Sequence, residues 1–204
     1  MNTEPPASPS GLEACDLESI LATDELEIRA SRISDQKAES QAEVDLTQEL
    51  AKSPHDFFDK LVGMVLKLTP ADSAGISLLD EKNGRFVWPA VAGGLDPYVG
   101  GGTPSNFGPC GTVLDRNKPL LFVHPERHFT YLELIQPPLE EVLLIPFHVE
   151  GKAVGTIWAV IHRKDHHFQS EDRRLLMNLS TFASTAFAVL RSVGALEPLL
   201  GKKA

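Results

Sequence analysis

The sequence predicts one α+β domain built on an antiparallel sheet, with an acidic region in front of it. Three observations carry this. Apolar runs are paired across tight-turn sequences, Asn83-Gly84 and Glu150-Gly151, the pattern of β-hairpins. Broad apolar stripes at helical spacing stand before and after them, Phe57 to Leu68 and Leu175 to Leu190. Finally, 204 residues of which 42% are hydrophobic suffice for one well-buried domain with an appendage, and are too few for two.

In chain order, residues 1–18 are rich in Pro, Ser and Ala, and Ile20 to Ile33 shows no apolar period. Residues 1–34 therefore read as an acidic, disordered tail. Residues 35–52 are rich in Ala, Gln and Glu, with Leu46 and Leu50 four apart. This is a helix with a thin apolar stripe, suited to packing on another chain in a dimer. Ser53-Pro54 restarts the helix, with Ser as cap and Pro at the first helical position. Phe57, Phe58, Leu61, Val62, Val65 and Leu68 then form a wide apolar face.

Strands are expected at 74–80 and 85–92, around Asn83-Gly84. The glycine-rich stretch Gly93 to Gly108 reads as a loop. Its Gly100-Gly101-Gly102 run lacks the residues of a phosphate loop. A short helix at 109–116, a strand at 120–123 and a helix from Glu126 to Ile135, stopped by Pro137-Pro138, come next. Strands follow at 141–149 and 152–162. In the first, Val142 and Leu144 point one way and Leu143, Ile145 and Phe147 the other, so the sheet is covered on both faces. Ser170 caps a last helix, and residues 194–204 form a C-terminal tail.

Charge is uneven along the chain. Residues 1–52 hold 12 acids and 4 bases, a net of −8, against −1 for the remainder of a chain whose total is −9. A nearly neutral body has no electrostatic footprint for nucleic acid. No apolar run is long enough to span a membrane, and the first residues lack the basic start and apolar stretch of a signal peptide. A cytoplasmic protein is expected. The two cysteines, Cys15 and Cys110, exclude a disulfide scaffold and a four-cysteine metal site.

Six segments, in register from about Ser53 to Leu190, resemble bacterial GAF domains. They are Ala71-Asp-Ser-Ala-Gly-Ile-Ser-Leu-Leu-Asp80, Pro109-Cys110-Gly111, His124-Pro125-Glu-Arg127, Leu144-Ile-Pro146-Phe, Val154-Gly155-Thr-Ile-Trp158 and Phe168-x-x-Glu171-Asp172-x-x-Leu175-Leu176. The resemblance, to the subgroup found in sensor histidine kinases and standalone sensors, implies a PAS-like fold over residues 53–193. In it a central antiparallel sheet carries the terminal helices on one face and a ligand pocket of loops and short helices on the other. It implies a signal-transduction sensor that binds a small molecule and relays it through its terminal helices. The relay would run within a homodimer, to a histidine kinase or other signalling protein in trans.

The segment Arg127-His128-Phe-Thr-Tyr131-Leu132 resembles the Cys-His-x-x-Tyr-Leu of bilin-binding GAF domains, with Arg127 where the chromophore cysteine stands. No covalent bilin is expected at that site, and the cofactor is unknown. An arginine there suits a carboxylate, while His128 and Tyr131 equally suit the wall of an empty cavity. Candidate ligand-binding residues are Trp88, Phe107, Cys110, Arg127, His128, Tyr131 and Trp158.

Cys110 enters a short helix, where a thiol pKa can fall, or is simply a small buried residue. The related methionine sulfoxide reductases use a second cysteine in the domain, and none occurs here. His124 and His128 are four apart but divided by Pro125, so they give no metal pair on one helix face. No nucleophile–base or paired-carboxylate motif supports catalysis, and no enzyme is expected. Besides the sensor, two readings stay open: a ligand-free GAF module for interaction or dimerisation, and a redox sensor based on Cys110.

Overall fold

The computed structural model describes residues 15–201. Its strands are β1 Ser73–Asp80, β2 Arg85–Gly93, β3 Gly102–Pro104, β4 Leu120–Val123, β5 Glu141–Val149 and β6 Lys152–Ile161. The α-helices are α1 Thr23–Ile28, α2 Gln36–Lys52, α3 Phe57–Leu68, α4 Pro109–Arg116, α5 Ser170–Ser192 and α6 Leu196–Leu200. The strands form one antiparallel sheet ordered β3-β2-β1-β6-β5-β4.

Period-two alternation divides the apolar residues between two cores. Ala74, Ile76 and Leu78 of β1, Leu143, Ile145 and Phe147 of β5, and Ile157, Ala159 and Ile161 of β6 pack with α3 and α5. Trp88, Val142, Leu144, Trp158 and Val160 face the other way, under α4 and the loops between β2 and β5. Strands apolar on both faces require this double cover, and α3 and α5 supply half of it through the stripes that predicted them.

Two local devices shape the second face. Ile76 pairs with Ala90 but Leu78 with Val87, so Trp88 and Pro89 together oppose Ser77. Proline has no N–H for the ladder, and the resulting bulge puts Trp88 on the same face as Trp158. The glycine triplet then runs beside β2: Gly100 N–H donates to the Trp88 carbonyl at 2.8 Å, and Trp88 N–H to that of Gly101 at 2.9 Å. A Cβ on Gly102 would lie 1.9 Å from the Phe86 carbonyl oxygen. The triplet is there for close strand approach.

Several elements differ from expectation. Residues 15–34 are packed: Ile20 and Leu26 are fully buried, one in each core, which a disordered tail would not allow. Residues 1–14 lie outside the described part. The stripe of α2 is spent inside the chain, with Ala42 and Leu46 buried in the core that holds α3. The expected loop 93–108 contains β3. The helix expected from Glu126 to Ile135 is two 3-10 turns, Pro125–Arg127 and Thr130–Leu134, with His128 and Phe129 between them. Ser53 donates to the Asp56 carboxylate at 2.6 Å instead of accepting from a helix N–H. Gln169, not Ser170, is the N-cap of α5. Residues 196–200 of the expected C-terminal tail form α6.

Candidate ligand-binding site

Between the second face of the sheet and its cover lies a cavity of about 50 Å³. Trp88, Trp158, Val142, Leu144 and Val160 form its floor; Leu95, Thr103, Pro109, Cys110, Leu132, Ile135 and Leu139 are among the residues closing it. The floor depends on Gly75. This residue pairs with Trp158 across β1 and β6, and the indole lies directly over its Cα. The ring is held from two sides. Its Nε1 donates to Ser77 Oγ at 3.0 Å, and Trp88 meets it edge to face at 5.7 Å.

Polar atoms are few in this apolar setting, and they divide into two groups. Ser77, Cys110 and Thr156 satisfy one another: the Cys110 thiol donates to Ser77 Oγ at 3.3 Å, and Thr156 Oγ1 donates to Sγ at 3.5 Å. Trp88 Nε1, Thr103 Oγ1 and Tyr131 OH are buried without any hydrogen-bond partner. Burial pushes the Tyr131 phenol above its ordinary range. The Thr103 hydroxyl acts against that shift without reaching hydrogen-bond geometry. Orphaned buried donors are uncommon because each leaves about 1–3 kcal/mol of lost solvation uncompensated.

Of the seven residues singled out in the sequence, Trp88, Cys110 and Trp158 line the cavity. Phe107, His128 and Tyr131 are part of the cover, where the Phe107 ring lies 5.6 Å from His128, 5.2 Å from Phe129 and 6.2 Å from Tyr131. Arg127 does not join them. Its side chain is exposed, because the 3-10 turn after Pro125 directs it outward; its backbone carbonyl accepts from Cys15 N–H at 2.8 Å. His128 is likewise turned from the cavity, with Nδ1 2.5 Å from the Cys15 carbonyl oxygen, to which it can only donate. Thr103 and Ser77 carry no local signal in the sequence, since a Thr in a glycine loop and a Ser in a strand are ordinary surface residues.

The cover is pinned at its other end by His162. Its Nδ1–H donates to the Pro138 carbonyl at 2.7 Å, and its Nε2 lies 2.7 Å from Ser73 Oγ, which accepts the Leu95 N–H at 3.0 Å. This Ser–His contact is fully buried at the serine and serves the loops carrying Leu95 and Leu139. Among the described residues no group of three or more His, Cys, Asp or Glu could hold a metal ion. No described helix is long and apolar enough to cross a membrane.

A family profile described as GAF domain matches residues 51–188. The chain belongs to the GAF domain family, whose members are signalling and sensor modules. Among solved structures, this GAF domain resembles the GAF domain of a phosphoenolpyruvate-protein phosphotransferase from Coxiella burnetii. That match has 23% identity and a TM-score of 0.68, covering 79% of this chain and 99% of that one. The free methionine-R-sulfoxide reductase of Neisseria meningitidis, solved with its substrate, matches at 16% identity and a TM-score of 0.63, over 82% and 98% of the two chains. The GAF-B domain of DevS from Mycobacterium smegmatis matches at 19% and 0.56, over 71% and 99%. At these identities the likeness is one of fold. No curated protein matches the chain by sequence.

The reductase among these neighbours makes the state of Cys110 informative. Burial pushes its thiol up, outweighing its hydrogen bonds with Ser77 and Thr156. In a Cys15→Ser background, Cys110 is expected to resist iodoacetamide at pH 8 in the folded protein and to react fully in denaturant. Rapid labelling of the folded protein, read by mass, would restore the redox-sensor reading.

Proposed function

We propose that this GAF domain is a non-catalytic sensor whose ligand is a compact, largely apolar molecule carrying at least one hydrogen-bond acceptor. The observation behind this is a set of three buried, unpartnered polar atoms in the layer that encloses an apolar cavity. Trp88 Nε1 and Thr103 Oγ1 belong to residues lining it, and Tyr131 OH to the cover behind them, so a ligand reaches these atoms only as the cover shifts. Trp88 Nε1 can only donate, so a ligand that reaches it supplies an acceptor. About 50 Å³ admits a few heavy atoms. A tetrapyrrole, needing a pocket of roughly 300–1,000 Å³ or more, would require the cover to move. The occupied state passes through the terminal helices to a partner protein such as a histidine kinase. A homodimer would use the outward faces of those helices, since the apolar stripes of α2 and α3 are buried within the chain.

The small cavity volume favours a second reading, a ligand-free interaction module whose pocket is largely filled by its own side chains. Thermal denaturation with millimolar acetate or acetamide separates the two. The sensor predicts a rise in Tm of several degrees, since ligand at about 100-fold over Kd adds roughly 2.7 kcal/mol. Trp88→Phe, which keeps the ring edge but deletes the donor, should lose most of that rise and leave the ligand-free Tm within about 2 °C. No shift with either compound, together with a bare mass in native mass spectrometry, would establish the ligand-free module.

A further inference from the structure

The sheet separates the covered cavity from the helical face, and one segment of the chain touches both. Residues 15–34 pass around the outer edge of β4. At the cavity end, Cys15 exchanges two hydrogen bonds with the cover, its N–H to the Arg127 carbonyl and its carbonyl from His128 Nδ1. Glu18 pairs with Arg116 of α4, the helix that carries Cys110, and Ile20 is buried in the core beneath the cover. Over the edge, Leu21 bridges Phe122, Ala22 N–H donates to the Leu121 carbonyl at 2.9 Å, and Leu121 N–H donates to Thr23 Oγ1 at 3.0 Å.

On the far side, Leu26 is buried in the helical core. Arg29 reaches the buried Glu141 carboxylate at 2.9 Å and the Phe168 carbonyl at 3.0 Å. Arg32 reaches Asp172 in the first turn of α5 at 2.8 Å and the Leu68 carbonyl at the end of α3 at 2.6 Å. The family match begins at residue 51, so this strap lies outside the matched range.

We propose that residues 15–34 form a latch that couples the cover of the cavity to the start of α5 around the edge of the sheet. The strap has no core of its own: it has buried anchors in two cores, Ile20 in one and Ala22 and Leu26 in the other, and short polar clamps at both ends. Such a segment opens as a unit, so loosening one end weakens the other. Linkage makes the coupling reciprocal. A change in the cover that moves His128 thus reaches the helical face without passing through the rigid sheet, and this requires no identified ligand.

Hydrogen exchange by mass spectrometry on the full chain tests the coupling in both directions. His128→Phe keeps the ring against Phe107 and Phe129 but deletes the donor to Cys15. It should raise exchange about tenfold not only at residues 15–24 but also at residues 25–34 and at Phe168, whose N–H is held by Glu141. Arg29→Gln leaves Glu141 its bonds from His167 and Phe168 N–H, and should raise exchange in return at residues 124–132. If either variant loses protection in β5 and β6, Thr23→Ala, which removes a single bond at the sheet edge, takes its place and should loosen both ends. Changes confined to the substituted end in either direction would overturn the latch.

Discussion

Gly75→Val is expected to lower the stability of the domain by about 2–4 kcal/mol and to close the cavity. A Cβ at this position would lie 2.1 Å from Cζ2 of Trp158, 2.5 Å from Cη2 and 2.6 Å from Cε2. A rigid indole packed against Trp88 cannot yield by a rotation about a flexible bond. It must leave its place, and the cavity of about 50 Å³ is the nearest space. Overpacking of this kind costs about 1–3 kcal/mol, and loss of the Trp158–Ser77 hydrogen bond adds about 1 kcal/mol.

Strand propensity alone predicts the opposite sign, since valine is a better strand residue than glycine. Gly63 provides the contrast. It lies in α3 with no atom within 4 Å of an added Cβ, so Gly63→Ala should stabilise by about 0.5–1 kcal/mol. Urea unfolding followed by tryptophan fluorescence reads both variants. A Gly75→Val midpoint equal to that of the wild type would mean that Trp158 does not lie over Gly75.

The contrast between these glycines shows where sequence reading succeeds. The two-faced pattern of β5 and the hairpin at Asn83-Gly84 are local, so Val142 against Leu143, or Asn beside Gly, announces its structure within a few residues. The apolar face of α3 is legible for the same reason. The order of elements and the family resemblance followed from such signals.

The features that escaped are long-range or directional. Ile20 and Leu26 stand among scattered apolar residues of an acidic stretch with no period to mark which are buried, and their seats are made by elements far along the chain. Arg29 meets Glu141 across 112 residues, and no periodicity encodes such a pairing. Arg127 fails differently. Its place in the motif is right, but the turn after Pro125 points its side chain outward and leaves its carbonyl to hold the strap. Resemblance transfers a position more reliably than a side-chain direction.

Arg32→Gln should destabilise the protein by about 2–3 kcal/mol at neutral pH, and by less as the pH falls. Asp172 is completely buried, and Arg32 is the cation beside it, held at 2.8 Å and 3.1 Å. Removing one member of a buried pair typically costs 3–5 kcal/mol because the other charge is left in a poor solvent. Here a third of the Arg32 side chain remains exposed, so water screens the pair and the smaller figure applies. Burial already raises the Asp172 carboxyl above its ordinary value, against the Gln169 N–H and Arg32, which favour the anion. Without Arg32 it rises further. A carboxyl with a raised folded value favours folding fully below its unfolded value of about 4, and loses that contribution as pH rises through the folded value. The difference between Arg32→Gln and wild type should therefore shrink between pH 7 and pH 4 as Asp172 takes up a proton. Urea midpoints across that range measure it. A difference independent of pH would assign the loss to the Leu68 carbonyl contact and to packing. The pH-dependent outcome would establish that an arginine of the N-terminal strap neutralises the carboxylate buried at the start of α5.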